Sequence, residues 1–427
     1  MTPSSIIVRP LASPSERETH FQLADEAFSD DSSQSSATYW QQYVTTLPEY
    51  RPEQIRGAFR DGELLGSYII FERMLRMGAA QLATGCINAV VTHPAHRHQG
   101  VATALMLDAI DYALSHNHAL LMLEGIPKFY YRFGYSDVFD LSTQDIDRAA
   151  ILAQPPSTHS VRPATLDDAA SVLALYDRHY SSYTGSFTHT VEQQAHRLRF
   201  RSSENPLLLA VDPAGQPQGY LALQYGADRS QAQELTADNW SAALALLQHH
   251  AHLLEGPGAP AILRYRLPPM ALVLQWIIDH LEVPDTSHWK ETAEGWAVLS
   301  QSYHHRNAAW MARLVHLPTL AQAILPEWQA RWRRSLAHWS GKVPLVVGEE
   351  ACTLRIDDTE IRLVDQPVTS ADAVRLTPLA FTQIVFGYRP VAWALQQSEQ
   401  PIESDLLSVL NVLFPFGNAW IPASDWF

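Results

Sequence analysis

The stretch Ile87–Thr103, INAVVTHPAHRHQGVAT, sets Arg97, His98, Gln99 and Gly100 between an apolar β-branched run and a segment with apolar residues at helical spacing. Those residue types in that order suit an anion. Glycine lets the backbone come close, successive N–H groups point outward, and the helix N-terminus adds the positive end of its dipole. A second group points to a cation. Asp25 and Glu26 precede a polar loop carrying Asp30 and Asp31, and Tyr39 and Trp40 follow it. Carboxylates with ring faces can line a pocket for a positive charge, although a solvated helix end beside two core aromatics explains the same residues. The 19 histidines, His249, His250, His252, His304 and His305 among them, lack the Cys or carboxylate spacing of a metal site. They read as surface or core residues, and no metal is expected.

The elements that must hold the basic turn can be read in order along the chain. Ile6–Arg9 reads as a short strand, and Ser13–Phe28 as an amphipathic helix with a Ser-Pro start signal. Arg56–Phe71 reads as a hairpin around Asp61-Gly62, and Gln81–Val91 as the strand leading into the turn. Pro94 breaks that strand, and Thr103 onward continues as helix. Ala119–Leu123 is a buried strand ended by Gly125 and Pro127, and Phe129–Phe133 a short helical turn closed by Gly134.

The linker Gln154–Ser160, QPPSTHS, closes this unit, and Val161-Arg162-Pro163 starts another of the same layout. Its helix spans Asp167–Tyr180, and Pro206–Asp212 pairs with Gly219–Tyr225 around Asp212-Pro213-Ala214-Gly215. The helix before His249 opens with Thr236-Ala237-Asp238-Asn239-Trp240, so this copy lacks the basic glycine turn and reads as a degenerate structural copy. From Trp310 the pattern changes, and Ala309–Val315 leads into Trp- and Leu-rich helices, then to strands Ala351–Ile356 and Glu360–Leu363. Helical segments Leu376–Phe386, Val391–Gln396 and Glu403–Leu413 follow.

A chain of 427 residues predicts two to four domains. With 46% hydrophobic and 18% charged residues, no long apolar span and no signal-peptide pattern, the expectation is a cytoplasmic protein. Its two cysteines, Cys86 and Cys352, fit a reducing compartment. A formal charge of −15 argues against nucleic acid and anionic membrane as main partners and favours a cationic substrate.

The run Arg97-His98-Gln99-Gly100-Val101-Ala102, then helix, strand and Phe129-Tyr130-Tyr131-Arg132-Phe133-Gly134-Tyr135, resembles the GCN5-related N-acetyltransferases (GNAT). Two such halves and a different tail, over essentially the whole length, resemble the Eis (enhanced intracellular survival) family. The resemblance implies an α/β fold of tandem GNAT-like mixed-sheet domains followed by an α+β sterol-carrier-protein-like domain. The implied boundaries are 1–156 for the catalytic domain, 157–300 for the degenerate copy and 301–427 for the C-terminal domain.

The implied activity is acetyl transfer from acetyl-CoA to a primary amine of a cationic small molecule, aminoglycoside- or polyamine-like, in a ternary complex and within a homo-hexamer. A protein-lysine acetyltransferase and a lipid or hydrophobic-ligand carrier built on the C-terminal domain are the alternatives. In the resemblance, the coenzyme A pyrophosphate rests on Arg97, His98, Gln99, Gly100, Val101, Ala102 and Thr103, and the pantetheine arm pairs with the backbone of Val90, Val91 and Thr92. His98 departs from the arginine common in the family. Tyr130 stands where the family has its general acid, with Tyr131 and Tyr135 as competitors, and the terminal carboxylate of Phe427 where it has its base. Asp25, Glu26 and Trp40 are the candidates for holding the acceptor.

Overall fold

The computed structural model describes residues 5–28, 36–126, 128–201, 205–224, 229–281, 301–303 (backbone only), 310–365, 368, 373–398 and 403–427. In chain order the strands are β1 Ile7–Pro10, β2 Ile55–Arg60, β3 Glu63–Met77, β4 Ala80–Thr92, β5 Leu120–Glu124, β6 Ser136–Asp137, β7 Leu141–Asp147, β8 Ser160–Pro163 and β9 Leu207–Val211. They continue as β10 Pro217–Leu223, β11 Gln231–Ala237, β12 Ile262–Tyr265, β13 Gln301–Tyr303, β14 Trp310–Leu314, β15 Ser340–Val347, β16 Glu350–Asp357, β17 Glu360–Val364 and β18 Val374–Leu376. The helices are α1 Pro14–Phe28, α2 Ala37–Thr45, α3 Val101–Ser115, α4 Arg148–Leu152, α5 Ala169–Tyr180, α6 Val191–Arg199, α7 Trp240–Leu253, α8 Leu272–His280, α9 Leu317–Arg334, α10 Pro378–Val385, α11 Val391–Gln396 and α12 Ser404–Leu413.

The first sheet runs β1-β2-β3-β4-β5-β14-β6, mixed because β4 and β5 are parallel while the other pairs are antiparallel. Asp61 and Gly62 turn β2 into β3 with φ of 51° and 86°, the left-handed pair that a two-residue hairpin loop needs. Alternate side chains of this sheet feed two cores. Ile70, Ile87, Leu121 and Leu123 pack under α3 with Val101, Leu105 and Met106. Phe71, Cys86, Leu120 and Met122 pack on the opposite face with Phe21, Trp310 and the edge of Phe427.

The second sheet, β13-β7-β12-β11-β10-β9-β8, repeats that plan. Its α7 face is filled by Leu208, Leu221, Leu246 and Leu263. The other face is filled by Leu209, Tyr220, Val172, Tyr176 and Trp420. A third sheet, β17-β16-β15-β18, packs against α9 with Trp328 and Trp332 fully buried.

Sheet membership crosses the boundaries expected at 156/157 and 300/301. Strand β7 pairs with β12 and β13 in the second sheet, and β14 inserts between β5 and β6 of the first. The run from Trp310 is therefore a strand before it is a helix. Ser340–Val347 is a further strand that the sequence pattern left unassigned. No helix among the described residues is long and apolar enough to cross a membrane.

Candidate active site

Strand β4 pairs with β3 along its whole length, but its parallel register with β5 covers Thr84–Ile87 alone. Beyond Ile87 a bulge sets Ala89 and Val90 against Tyr68, with Ala89 at a φ of 48°. The two strands part there. The stretch of β4 holding Val90, Val91 and Thr92 turns toward β5 an edge that, among the described residues, has no strand paired to it. Val90 faces the α3 core and Val91 the opposite one.

Beyond that edge the chain turns through Pro94–His96 and reaches α3. His98 and Gly100 both have positive φ, 62° and 84°, and an added Cβ on Gly100 would meet nothing within 4 Å. Gly100 therefore serves the backbone angle and leaves an open surface. Gly100 at the N-cap offers α3 no side-chain cap, so among the described residues its first-turn N–H groups, at Val101, Ala102 and Thr103, lack the partner that helix starts usually have. Arg97, His98, Gln99 and Gly100 are exposed beside them.

Arg60, at the end of β2, donates from Nη1 to Gln99 Oε1 (2.8 Å) and so adds a second guanidinium to the turn. The hairpin signal Asp61-Gly62 beside it was the one sequence clue to its place. Helix α3 is fixed to the sheet by Arg56, which donates to both Asp108 carboxylate oxygens (2.5 and 2.8 Å), and by the Tyr68 hydroxyl on the same carboxylate (2.8 Å). An uncapped helix start, two cations and an open strand edge are a chemically suitable donor set for a pyrophosphate with an amide-bearing arm.

Tyr130 begins the short helical turn after β5, buried in the α3 core and set edge-on to Phe129 at 4.9 Å and Tyr135 at 5.9 Å. Its hydroxyl has no hydrogen-bond partner among the described residues, and burial pushes its pKa up to about 12. The two competitors differ. Tyr131 donates to Asp137 Oδ2 (2.6 Å), and the Tyr135 hydroxyl is enclosed in the core without a partner among the described residues, its pKa driven further up by burial.

Phe427 reaches the same region from the other face of the sheet. Its ring packs edge-on to Trp310 at 4.8 Å, and Trp310 stands opposite Glu124, the last residue of β5, in the β5–β14 register. The Arg73 guanidinium lies 5.4 Å from the Phe427 ring centre. Tyr130 and Phe427 thus flank the C-terminal end of β5 from its two sides.

Glu124 is a carboxylate at the end of β5 that lies outside both sequence motifs. Its side chain is exposed at the strand end, yet the surrounding protein raises its pKa by desolvation, with Arg266 pulling the other way. Arg266 in turn stacks over the Trp426 ring at 4.6 Å. The environment of Glu124 comes from residues remote in the chain, which is why local spacing could not reveal it.

The candidate acceptor residues lie on the Phe427 face. Trp40 packs edge-on to Phe21 at 4.9 Å, and Asp25 and Glu26 stand in the last turn of α1, the helix that helps cover that face. Asp30 and Asp31 lie outside the described residues. A cavity of about 250 Å³ also opens beside the tail, lined by Glu49, Glu72, Arg73, Thr188, His189 and Gln193. Glu49 Oε2 is buried without a hydrogen-bond partner among the described residues.

The second half shows what the first would be without its anion site. Strand β11 also bulges and leaves β12 after Ala232↔Tyr265. But the following helix α7 is capped by Asn239, whose Oδ1 accepts the Ala242 N–H (2.9 Å) while its Nδ2 donates to Gln218. A side chain fills the place where the first half leaves bare N–H groups.

Residues 8–138 match the family model described as acetyltransferase (GNAT) domain. No curated protein matches the sequence. Among solved structures, the chain is similar over 99% of its length and 100% of theirs to a GCN5-related N-acetyltransferase from Kribbella flavida (TM-score 0.71, 18% identity) and one from Anabaena variabilis (TM-score 0.71, 14% identity). It is similar over the same shares to Eis1 from Mycobacterium abscessus, at a TM-score of 0.63 and 16% identity. At such identities the likeness is one of fold.

Proposed function

We propose, from the match of residues 8–138 to the acetyltransferase (GNAT) domain model, that the chain is an acetyl-CoA-dependent N-acetyltransferase acting on a primary amine of a cationic small molecule, aminoglycoside- or polyamine-like. The observation that carries this reading is the parting of β4 from β5 next to the uncapped start of α3. One groove then offers an anion site, an open backbone edge and access to both faces of the sheet.

Acetyl-CoA would supply the thioester carbonyl and a thiolate leaving group. The first-turn N–H groups of α3, with Arg97 and Arg60, would hold its phosphates, and the β4 edge at Val90–Thr92 would align its arm. The acceptor amine attacks the carbonyl directly. The amine proton passes to a carboxylate, the C–S bond breaks, and Tyr130 gives its hydroxyl proton to the sulfur, so that amide and free thiol leave together.

A phenol with a pKa of about 12 is fully protonated at neutral pH and fits the acid's part. For the base the proposal is the Phe427 carboxylate. Its ordinary pKa of roughly 3.3–3.7 makes it weak in water, so desolvation beside Trp310 and Trp426 or a relaying water has to raise its basicity. Glu124, already raised by its surroundings, is the second candidate on that face.

A cationic acceptor is supported by Glu49, whose carboxylate lines the cavity next to the tail, where Glu72 is already paired with Arg51 and Arg73 stands beside it. The sterol-carrier-protein-like character of the C-terminal domain, supported by a four-stranded sheet under a long helix, and a six-subunit assembly belong to the same proposal. The test is thiol release from acetyl-CoA against a panel of cationic amines, with a form carrying two extra residues after Phe427. Turnover in the native chain, reduced at least 100-fold in the extended one, supports the reading. Full turnover in the extended form assigns the base to Glu124, and no turnover with any amine removes the function.

A further inference from the structure

The last residues of the chain are held by the second half. Thr184 pairs in parallel with Ala419, donating its N–H to Asn418 O (2.9 Å) and accepting the Trp420 N–H on its own carbonyl (3.3 Å). Trp420 then packs into the core with Tyr176, Leu209 and Tyr220. Four residues on, the Ser424 N–H donates to the Glu234 carboxylate, whose other oxygen accepts the Tyr220 hydroxyl (2.7 Å).

Asp425 is wholly buried, and its carboxylate accepts bonds from the Tyr176 hydroxyl, the Phe187 N–H (3.0 Å), His189 Nε2 (2.6 Å) and Arg197 Nη2 (3.3 Å). Every one of those donors lies between residues 176 and 197. Arg73 of the first half adds a bond to the Asp425 carbonyl (2.9 Å) and spans the seam to the Phe427 ring.

The place of these contacts in the sheet is informative. Glu234 stands on β11 just past the point where β11 leaves β12, on the face away from α7. That position corresponds to the part of β4 beyond Ile87, on the face away from α3. The turn Ala423–Asp425 therefore lies against the split of the second sheet as an acceptor would lie against the split of the first. Burying two carboxylates there is costly unless each is fully bonded. A tail with no task beyond closing the fold would be anchored as well by Trp420 and Ile421 alone, both at most 5% exposed.

We infer that the second half has become a holder for the chain's own end, and that Asp425 and Glu234 are positioning residues that set where the Phe427 carboxylate stands beside β5. The inference rests on the role proposed for Phe427. It assigns a task to a copy whose own anion site is filled by Asn239.

Two substitutions keep shape and remove the carboxyl group, Asp425→Asn and Glu234→Gln. Each is assayed for kcat with the best amine, for acetyl-CoA Kd, and for release of Phe427 by a carboxypeptidase acting on the folded chain. The expected result is a kcat at least 10-fold lower, an acetyl-CoA Kd within 2-fold, and release of Phe427 at least 10-fold faster. A purely structural role would move both ligand binding and melting temperature without separating kcat from Kd. Unchanged kcat, or unchanged release, overturns the inference. If neither variant folds, the native chain still decides: loss of Phe427 at the rate of a free peptide of the same last residues overturns the inference, and resistance to release supports it. Absence of acetyl transfer in the native chain removes the proposed function instead, and the release rates of the native and variant chains still report whether the tail is held.

Discussion

At the scale of single residues, Tyr130 is where sequence and structure meet most directly. The string Phe129–Tyr135 marked it, and the structure adds its environment: an aromatic cluster, a hydroxyl without a protein partner among the described residues and a pKa pushed up to about 12 by burial. The raised value means that the neutral phenol is favoured in the fold. That stabilisation is complete below the unfolded value near ~10 and is lost as pH rises through about 12. The acid form is therefore full at every pH below about 10, and an alkaline fall in rate under pH 10 must come from another group. Tyr130→Phe should lower kcat by ~10²–10⁴-fold, the usual worth of a general acid, with the acetyl-CoA KM within 2-fold and no change in the acidic limb of the kcat profile. A pH–rate series on both forms measures this, and a kcat within 3-fold of the native chain would remove Tyr130 from the reaction. Glu124 and Arg60, in contrast, owe their places to Arg266, Trp426 and Gln99. No local spacing encodes such neighbours.

At the scale of elements, the two helices that follow a bulged strand, α3 and α7, begin in opposite ways. Gly100 leaves α3 open, and Asn239 closes α7. Loss of a side-chain cap typically costs ~1 kcal/mol, so Asn239→Ala should lower the melting temperature by a few degrees while leaving kcat and the acetyl-CoA KM as they are. Gly100→Val asks a β-branched residue to hold a φ of 84°, a strained conformation for it. It should weaken acetyl-CoA binding at least 10-fold, read by titration of the folded protein. Equal effects of the two substitutions on binding would mean that the start of α3 is not the anion site. Much of this element level was legible in the sequence. The Asp61-Gly62 hairpin, the strand to Val91, the helix after it and the closing Gly134 all lie within a residue or two of their expected places, save that β3 runs on to Met77 and α3 starts at Val101. Partnership was not legible. Strands β7 and β14 are five to seven residues long, and a short apolar run states that it is a strand without stating which open edge it will join. Their exchange between the sheets is decided by the whole assembly.

At the scale of the molecule, the histidines carry a consequence for how the fold responds to acid. They read in the sequence as surface or core residues, and four of them, His20, His118, His196 and His250, are buried at 3% exposure or less. Burial lowers the pKa of all four, that of His20 to about 3. His20 lies on the buried face of α1 beside Phe21, with Nδ1 bonded to Ser67 Oγ at 2.8 Å, and His250 is bonded to the Tyr265 hydroxyl and the Arg229 carbonyl. Each is neutral in the fold and free to take a proton once unfolded. The sign follows from linkage: a lowered folded pKa stabilises the fold above the unfolded value near ~6.5, and that stability drains away as pH falls toward the folded value. For His20 the drain runs from pH 6.5 to about 3, at ~1.4 kcal/mol for each pH unit, and the other three add to the upper part of the range. Asp425 adds a later loss. Burial alone would raise its carboxyl, but His189, Arg197 and Tyr176 bring it down to about 2, so its stabilisation is full above the unfolded value of ~3.9 and is lost as pH falls from there through about 2. The melting temperature should therefore begin to fall near pH 6.5, well above the range where carboxylates titrate. His20→Gln, neutral at every pH and able to keep a bond to Ser67, should be less stable than the native chain at pH 8 and close the gap on acidification, so that the two denaturation curves approach each other by pH 5. Parallel curves from pH 8 to 5 would show that His20 takes no part in the acid response.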